Sequence, residues 1–197
     1  DFPISNMSNS GIDNIEVYVR RQPRSLTEHL GTGRHYNINS KRGQLNIMYT
    51  EHNRIGDIYS TDITAYIENM DCIERIHLPY VVLAPSYMIY TADYSTFLRD
   101  HIESGADISM MYHSVDNAKE AFLNCNTLNI NKQKGVLSIE PNHGNTKNKY
   151  ISMDTYVMTK ELFLELVRKA HSTSSMYTFA DILNEKCADL DIRAVSH

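Results

Sequence analysis

Asp57, Asp62 and Asp93 stand near the ends of expected strands and helices. One or two such carboxylates, together with substrate oxygens, can hold the magnesium ion that accompanies a phosphate. Asp93 has a second use, because it immediately precedes an apolar-periodic run and suits a helix N-cap. Ser10 and Ser25 are conceivable nucleophiles, yet neither sits in the Gly-x-Ser-x-Gly turn that presents an activated hydroxyl. Ser25 instead opens Ser25-Leu26-Thr27-Glu28, a capping-box pattern. The nine histidines contain no His-Glu-x-x-His spacing, which weighs against a histidine-built metal centre. Gly31-Thr32-Gly33-Arg34 follows an expected helix rather than a strand, so it reads as a turn and not as a phosphate cradle. Lys132, Lys134, Lys147 and Lys149 make one hairpin and the loop after it basic: a solvated loop, an anion contact or a subunit surface.

Such residues need a frame, and the run Tyr80-Val81-Val82-Leu83-Ala84 between Pro79 and Pro85 is the part the rest is organised around. It is β-branched and aromatic without alternation, as in a strand buried on both faces. Ligands of open α/β sheets sit beyond the carboxyl ends of the strands, so the turn Pro85-Ser86-Tyr87-Met88 is where a site is expected. That turn offers only one serine and one tyrosine.

Further strands are expected at 14–19, 45–49, 108–112, 150–158 and 191–195, with helices over 25–30, 62–76, 93–104, 161–170 and 178–188. The runs 127–130 and 136–139 flank Lys132-Gln133-Lys134-Gly135 as a hairpin. Residues 51–60 and 141–148 read as loops. Alternation of strands and helices predicts a parallel or mixed sheet with helices on both faces, and the hairpin an antiparallel insertion near one edge. The opening segment reads as a helix stopped at Asn9-Ser10-Gly11. A first strand is expected to precede it, and the last strand is expected to lead into further chain.

The formal net charge of −5 argues against broad nucleic-acid binding. Three widely spaced cysteines, Cys72, Cys125 and Cys187, fit a reducing compartment better than a disulfide framework. No apolar run reaches the roughly 18–20 residues of a membrane span. A cytoplasmic location, with neither nucleic-acid nor membrane partners, is therefore expected. From residue types alone the reading ends at an α/β domain without a visible catalytic set.

Longer motifs carry it further. Asp1, Phe2, Ser5, Asn6, Asn9, Ser10, Gly11 and Ile12, followed by Ser25, Leu26, His29 and Leu30, resemble the opening of the bacterial glucose-1-phosphate adenylyltransferases. The resemblance continues through Glu68-Asn69-Met70-Asp71, Ile89-Tyr90, Asp93-Tyr94, His101, Gly105-Ala106-Asp107 and Ser152-Met153. It implies a Rossmann-like nucleotidyltransferase (GT-A-like) α/β domain with a mixed, mostly parallel sheet. Residues 1–197 would be part of that domain, without a second one. The glycine-rich nucleotide loop with its strand, and the family's C-terminal β-helix, would lie outside the chain.

At the positions the resemblance assigns to substrate and metal, the residues depart from the family. Its Ala-Gly-Asp, whose aspartate holds magnesium, is Pro85-Ser86-Tyr87 here. Its Tyr-x-Gly-Thr-Ala-Asp-Ala near the base pocket corresponds to Tyr59-Ser60-Thr61-Asp62-Ile63-Thr64-Ala65, with Thr61 for the glycine. Its sugar-phosphate lysine is Glu140, and its Ser-Met-Gly is Ser152-Met153-Asp154. Exchanging a cation for an anion beside a phosphate turns an attraction of about 4 kcal/mol into a repulsion of similar size at an effective dielectric near 20. The resemblance thus implies a degenerate pocket of Tyr59, Thr61, Asp62, Ser86, Tyr87, Glu140, Ser152 and Asp154. No residue is assigned to catalysis. It implies no cofactor in this chain, although an active family member would use Mg2+. The implied role is a regulatory, catalytically weak or inactive subunit serving glycogen biosynthesis. It would partner a catalytic paralogue in a hetero-oligomer and possess a sugar-phosphate or nucleotide effector. Two alternatives remain open: an active transferase whose metal is held by Asp62 or Asp93, and a sugar-phosphate or nucleotide-sensing module.

Overall fold

A computed structural model describes residues 2–19, 23–31, 33–38, 43–49 and 61–197. Helix α1 (Phe2–Asn9) leads into strand β1 (Asn14–Val19), then α2 (Pro23–Leu30), a 3-10 turn (Arg34–Tyr36) and β2 (Gln44–Tyr49). Strands β1 and β2 pair in parallel in a two-stranded sheet of their own, with Ile15 opposite Leu45. Helix α2 begins at Pro23, so Ser25 lies inside its first turn and not at the expected cap. Proline suits that place, since its missing N–H would have no partner in a first turn. Gly33, at φ 76°, packs where an added Cβ would lie 3.1 Å from the Leu45 side chain; it is a turn glycine.

The expected helix over 62–76 is two helices, α3 (Asp62–Glu68) and α4 (Met70–Arg75). Asn69 divides them: its Nδ2 donates to Ala65 O at 2.9 Å, drawing on a carbonyl that the continuing helix would use. Then come β3 (Tyr80–Leu83), α5 (Tyr94–Ser104), β4 (Ile108–Val115), the hairpin β5 (Asn126–Ile130) and β6 (Val136–Pro141), β7 (Lys149–Thr159), α6 (Lys160–Thr173), α7 (Phe179–Lys186) and β8 (Ile192–Ser196).

These six strands form a mixed sheet in the order β6-β5-β7-β4-β8, with β3 also on β7. Strands β3 and β4 are both antiparallel to β7, and β8 is parallel to β4, so β3, β4 and β8 share one direction. The hairpin occupies one edge, as its sequence implies. Asn131 Oδ1 accepts from Gln133 N and Gly135 N at 2.9 and 2.8 Å, and a Cβ on Gly135 would lie 2.8 Å from that same side chain.

Helices cover both faces. On one, Ile63 of α3, Phe163 and Val167 of α6, and Phe179 and Ile182 of α7 pack on Met110, Tyr156 and Met158. On the other, Tyr94 and Phe97 of α5 pack on Met111, Met153 and Val157. Alternation along β4 and β7 sends neighbouring residues to opposite cores.

Helix α5 is tied to β4 by His101, 3% exposed, whose Nδ1 lies 2.8 Å from Ser109 Oγ. Burial holds its imidazole below the ordinary histidine pKa, against the opposing pull of Asp107. Above about pH 6.5 both folded and unfolded chains carry this histidine neutral. As pH falls, the unfolded chain takes up the proton first, so stability from the neutral ring is lost down through the folded value. Urea midpoints between pH 7.5 and 5 should therefore fall more steeply for the parent than for His101→Gln; parallel slopes would show that the buried ring does not titrate this way.

Candidate functional site

Beyond the carboxyl end of β3, three side chains from two parts of the chain meet on one carboxylate. Strand β7 brings Ser152, Asp154 and Tyr156 at alternate positions. Its register against β4 shifts here: Met110 opposes Tyr156 and Tyr112 opposes Ser152, so β7 carries extra residues around Asp154. Bulges of this kind redirect a side chain. Asp154 has φ 45°, in the left-handed region that aspartate tolerates better than most residues with a Cβ. Its Oδ1 accepts from Ser152 Oγ at 2.8 Å and from the Tyr156 hydroxyl at 3.1 Å. Its Oδ2 accepts from the Tyr87 hydroxyl, which arrives from the turn after β3. Ser152 and Tyr156 are buried. Tyr87 is 66% exposed. Desolvation, then the bond to Asp154, push the Tyr87 phenol further above its ordinary pKa.

Asp62 lies close enough to Asp154 and Tyr87 to interact with them electrostatically. Its carboxylate accepts from Ile63 N at 2.9 Å and from Phe179 N at 3.1 Å, joining the first turns of α3 and α7. Two helix N-termini thus point at one carboxylate, a favourable electrostatic arrangement. Burial nevertheless raises the Asp62 pKa, with the two amides opposing the rise. Thr61 is the N-cap residue of α3 without a side-chain cap bond, and its buried Oγ1 has no partner among the described residues.

The other expected residues sit elsewhere. Ser86 is exposed in the turn. Glu140 is exposed on β6, where it accepts from Ser138 Oγ at 3.1 Å rather than joining Asp154. Asp93 caps α5, accepting from Ser95 N at 2.9 Å and Thr96 Oγ1 at 2.7 Å. The Ser95 and Thr96 bonds lower its pKa to about 2. Tyr59 and Asp57 lie outside the described residues. Ser10, considered as a nucleophile, donates to Asn6 O at 2.7 Å and accepts from Tyr94 N at 2.8 Å, so it splices α1 to α5. Lys134 donates to the Tyr112 hydroxyl at 2.8 Å. Sequence reasoning missed Tyr156 and Phe179. Tyr156 was accessible in principle, two residues beyond Asp154 on the same strand; Phe179 acts through its amide and leaves no side-chain signal.

A magnesium ion that serves phosphates requires anionic or carbonyl oxygens with lone pairs to spare. Here the phenol is neutral, Asp154 accepts three hydroxyl bonds, and Asp62 serves two backbone amides. These residues do not fit the magnesium site that the resemblance describes. Among the described residues, no group of three or more His, Cys, Asp or Glu is placed to hold a metal. What the arrangement does is fasten the turn after β3 to β7.

Replacing Asp154 separates two opposed effects. Glycine would relieve the positive-φ backbone by about 1 kcal/mol. It would also leave the buried Ser152 and Tyr156 hydroxyls without their acceptor, at about 1–3 kcal/mol each. Asp154→Gly should therefore lower the urea-unfolding free energy by about 1–5 kcal/mol, and Asp154→Asn, which keeps an acceptor, by less. A stabilised glycine variant would show that backbone strain outweighs the hydroxyl cluster.

Comparison with known proteins agrees with this architecture. The nucleotidyl transferase family model matches residues 1–195. A glucose-1-phosphate adenylyltransferase from Clostridioides difficile is 28% identical over 86% of this chain and 44% of its own length. One from Halalkalibacterium halodurans is 25% identical over 100% of the chain and 51% of its own. The glycogen biosynthesis protein GlgD of Geobacillus stearothermophilus is 30% identical over 57% of the chain and 33% of its own. The chain thus spans about half the length of the adenylyltransferases it matches. Among solved structures, HddC from Yersinia pseudotuberculosis superposes with a TM-score of 0.70 at 13% identity, over 98% of this chain and 73% of that one, a likeness of fold. With a family model matched across nearly its whole length and the mixed sheet to go with it, this chain belongs to the nucleotidyl transferase family.

Proposed function

We propose that this chain belongs to a regulatory, catalytically weak or inactive subunit of glucose-1-phosphate adenylyltransferase acting in glycogen biosynthesis. The observation that carries the reading is the bond from Tyr87 to Asp154. A neutral phenol, already donating to a carboxylate, stands where the resemblance puts a magnesium-binding aspartate. The similarity to GlgD and to the adenylyltransferases supports the glycogen context. A pyrophosphate leaving group needs its charge neutralised in the transition state, and a phenol–carboxylate pair adds negative charge there instead.

In this reading the subunit is cytoplasmic and assembles with a catalytic paralogue in a hetero-oligomer. It responds to a sugar phosphate or nucleotide. Among the described residues, no helix is long and apolar enough to cross a membrane. An active site rebuilt on Asp62 or Asp93 finds less support, since both carboxylates are engaged by helix N-termini.

The test uses the full-length polypeptide. With magnesium, ATP and glucose 1-phosphate it should form no ADP-glucose alone, while changing the rate of its catalytic paralogue when the two are mixed. Turnover by the polypeptide alone would overturn the reading. Glu140 offers a finer measure. Because it is exposed, its repulsion of a phosphate is screened far below the figure for a closed pocket, to about 0–1 kcal/mol. Glu140→Lys should tighten glucose 1-phosphate binding by calorimetry by up to about fivefold at low salt, and by less at high salt.

A further inference from the structure

Strands β4 and β8 run in parallel with Tyr112 opposite Ser196, and His197 N donates to Tyr112 O at 2.9 Å. The next pair along the two strands is His113 beside His197. Residues that stand side by side on adjacent strands send their side chains to the same face. The two imidazoles meet there, with ring centres 6.0 Å apart and planes inclined at 66°. Both residues are exposed. Histidine spacing along the sequence could not show this pair, because the strands that carry it lie far apart in the chain.

The two rings are prepared differently. His197 Nε2 lies 2.9 Å from Thr91 O, and a backbone carbonyl can only accept, so Nε2 carries the hydrogen. In the neutral ring Nδ1 then presents a bare lone pair. Metal-binding histidines are oriented in this way, by donating their other N–H to a carbonyl or a carboxylate. The Tyr90 ring, edge-on at 5.5 Å, supports the same imidazole. The His113 side chain has no hydrogen-bond partner among the described residues, so its basic nitrogen is available. An ion bound about 2.0–2.1 Å from one nitrogen of each ring sets the ring centres about 5 Å apart. A small turn of the exposed His113 side chain closes the difference from 6.0 Å. Among the described residues, no third His, Cys, Asp or Glu joins the pair.

We propose that His113 and His197 form a two-imidazole site for a divalent transition ion of the zinc or nickel type, with water completing the coordination. Neutral nitrogen donors suit such borderline ions and do not suit magnesium or calcium, which take oxygen. A bound ion joins the ends of β4 and β8. Through the bond from His197 to Thr91 it also braces the segment between β3 and α5 that carries Tyr87. The inference rests on the cross-strand histidine pair and is independent of the regulatory reading.

Calorimetric titration of the untagged full-length polypeptide with Zn2+ alone tests the site, at a pH of about 7.5 where both rings are mostly neutral. His113→Asn and His197→Gln, both at exposed positions, should each weaken Zn2+ binding about tenfold or more. Urea unfolding supplies a second readout: saturating Zn2+ should raise the midpoint of the parent and raise that of either variant much less. Absence of Zn2+ binding by the parent overturns the proposal. So does an affinity that survives either substitution, which would place the ion on other residues or on a single histidine. Displacement of the bound Zn2+ by an equal concentration of Mg2+ would overturn it too.

Discussion

Strand β7 is bonded to three neighbours: β3, β4 and β5. Its antiparallel course between β3 and β4 lets those two strands share a direction without touching. It also divides the protein's two principal cores, since Tyr156 and Met158 face one while Met153 and Val157 face the other. A regular ladder along its whole length would leave no room for Asp154 to turn. The shift of register opposite Met111 provides that room, and the site is a consequence of this irregularity.

What gathers there is a carboxylate that accepts from three hydroxyls. Hydrogen bonds to charged acceptors are the stronger kind, and three of them hold Asp154 in a backbone conformation it would not adopt unaided. Such a cluster is well suited to holding a turn and poorly suited to coordinating a cation or welcoming a phosphate. Asp62 illustrates the same preference. Its charge is compensated by the amides of two helices, an internal use that leaves it little to offer a ligand.

Aromatic packing runs from this cluster to Tyr18 of β1. Tyr18 meets Tyr66 edge-on at 5.0 Å, Tyr66 meets Phe163 at 5.1 Å, and Phe179 lies 5.6 Å from both Phe163 and Tyr156. Tyr156 then donates to Asp154. Close-packed rings of this kind give little when displaced. The two regions are therefore linked by contiguous packing, through residues that the hydrophobic pattern marks only as core.

The order of helices and strands was legible in the sequence because each depends on local rules: apolar periodicity, Asp93 as a cap, the Asn131 to Gly135 turn. The family was legible too, through runs such as Asn6 to Ile12. Local rules failed where competing interactions were equally local, as at Asn69 and Pro23. By itself the sequence supported, through its resemblance to the family, the expectation that Tyr87 and Asp154 stand where that family carries other residues. Only the tertiary structure decided that these two, 67 positions apart, bond to each other. It alone decided that Glu140 stays outside the cluster, and that Asp62 reaches an amide 117 positions away. Among the described residues it also gave β3, whose composition suits the centre of a sheet, a single partner strand, β7. The reason is physical: such contacts follow from strand register and helix placement, which arise from the simultaneous packing of distant segments and leave no mark in any short window of residues.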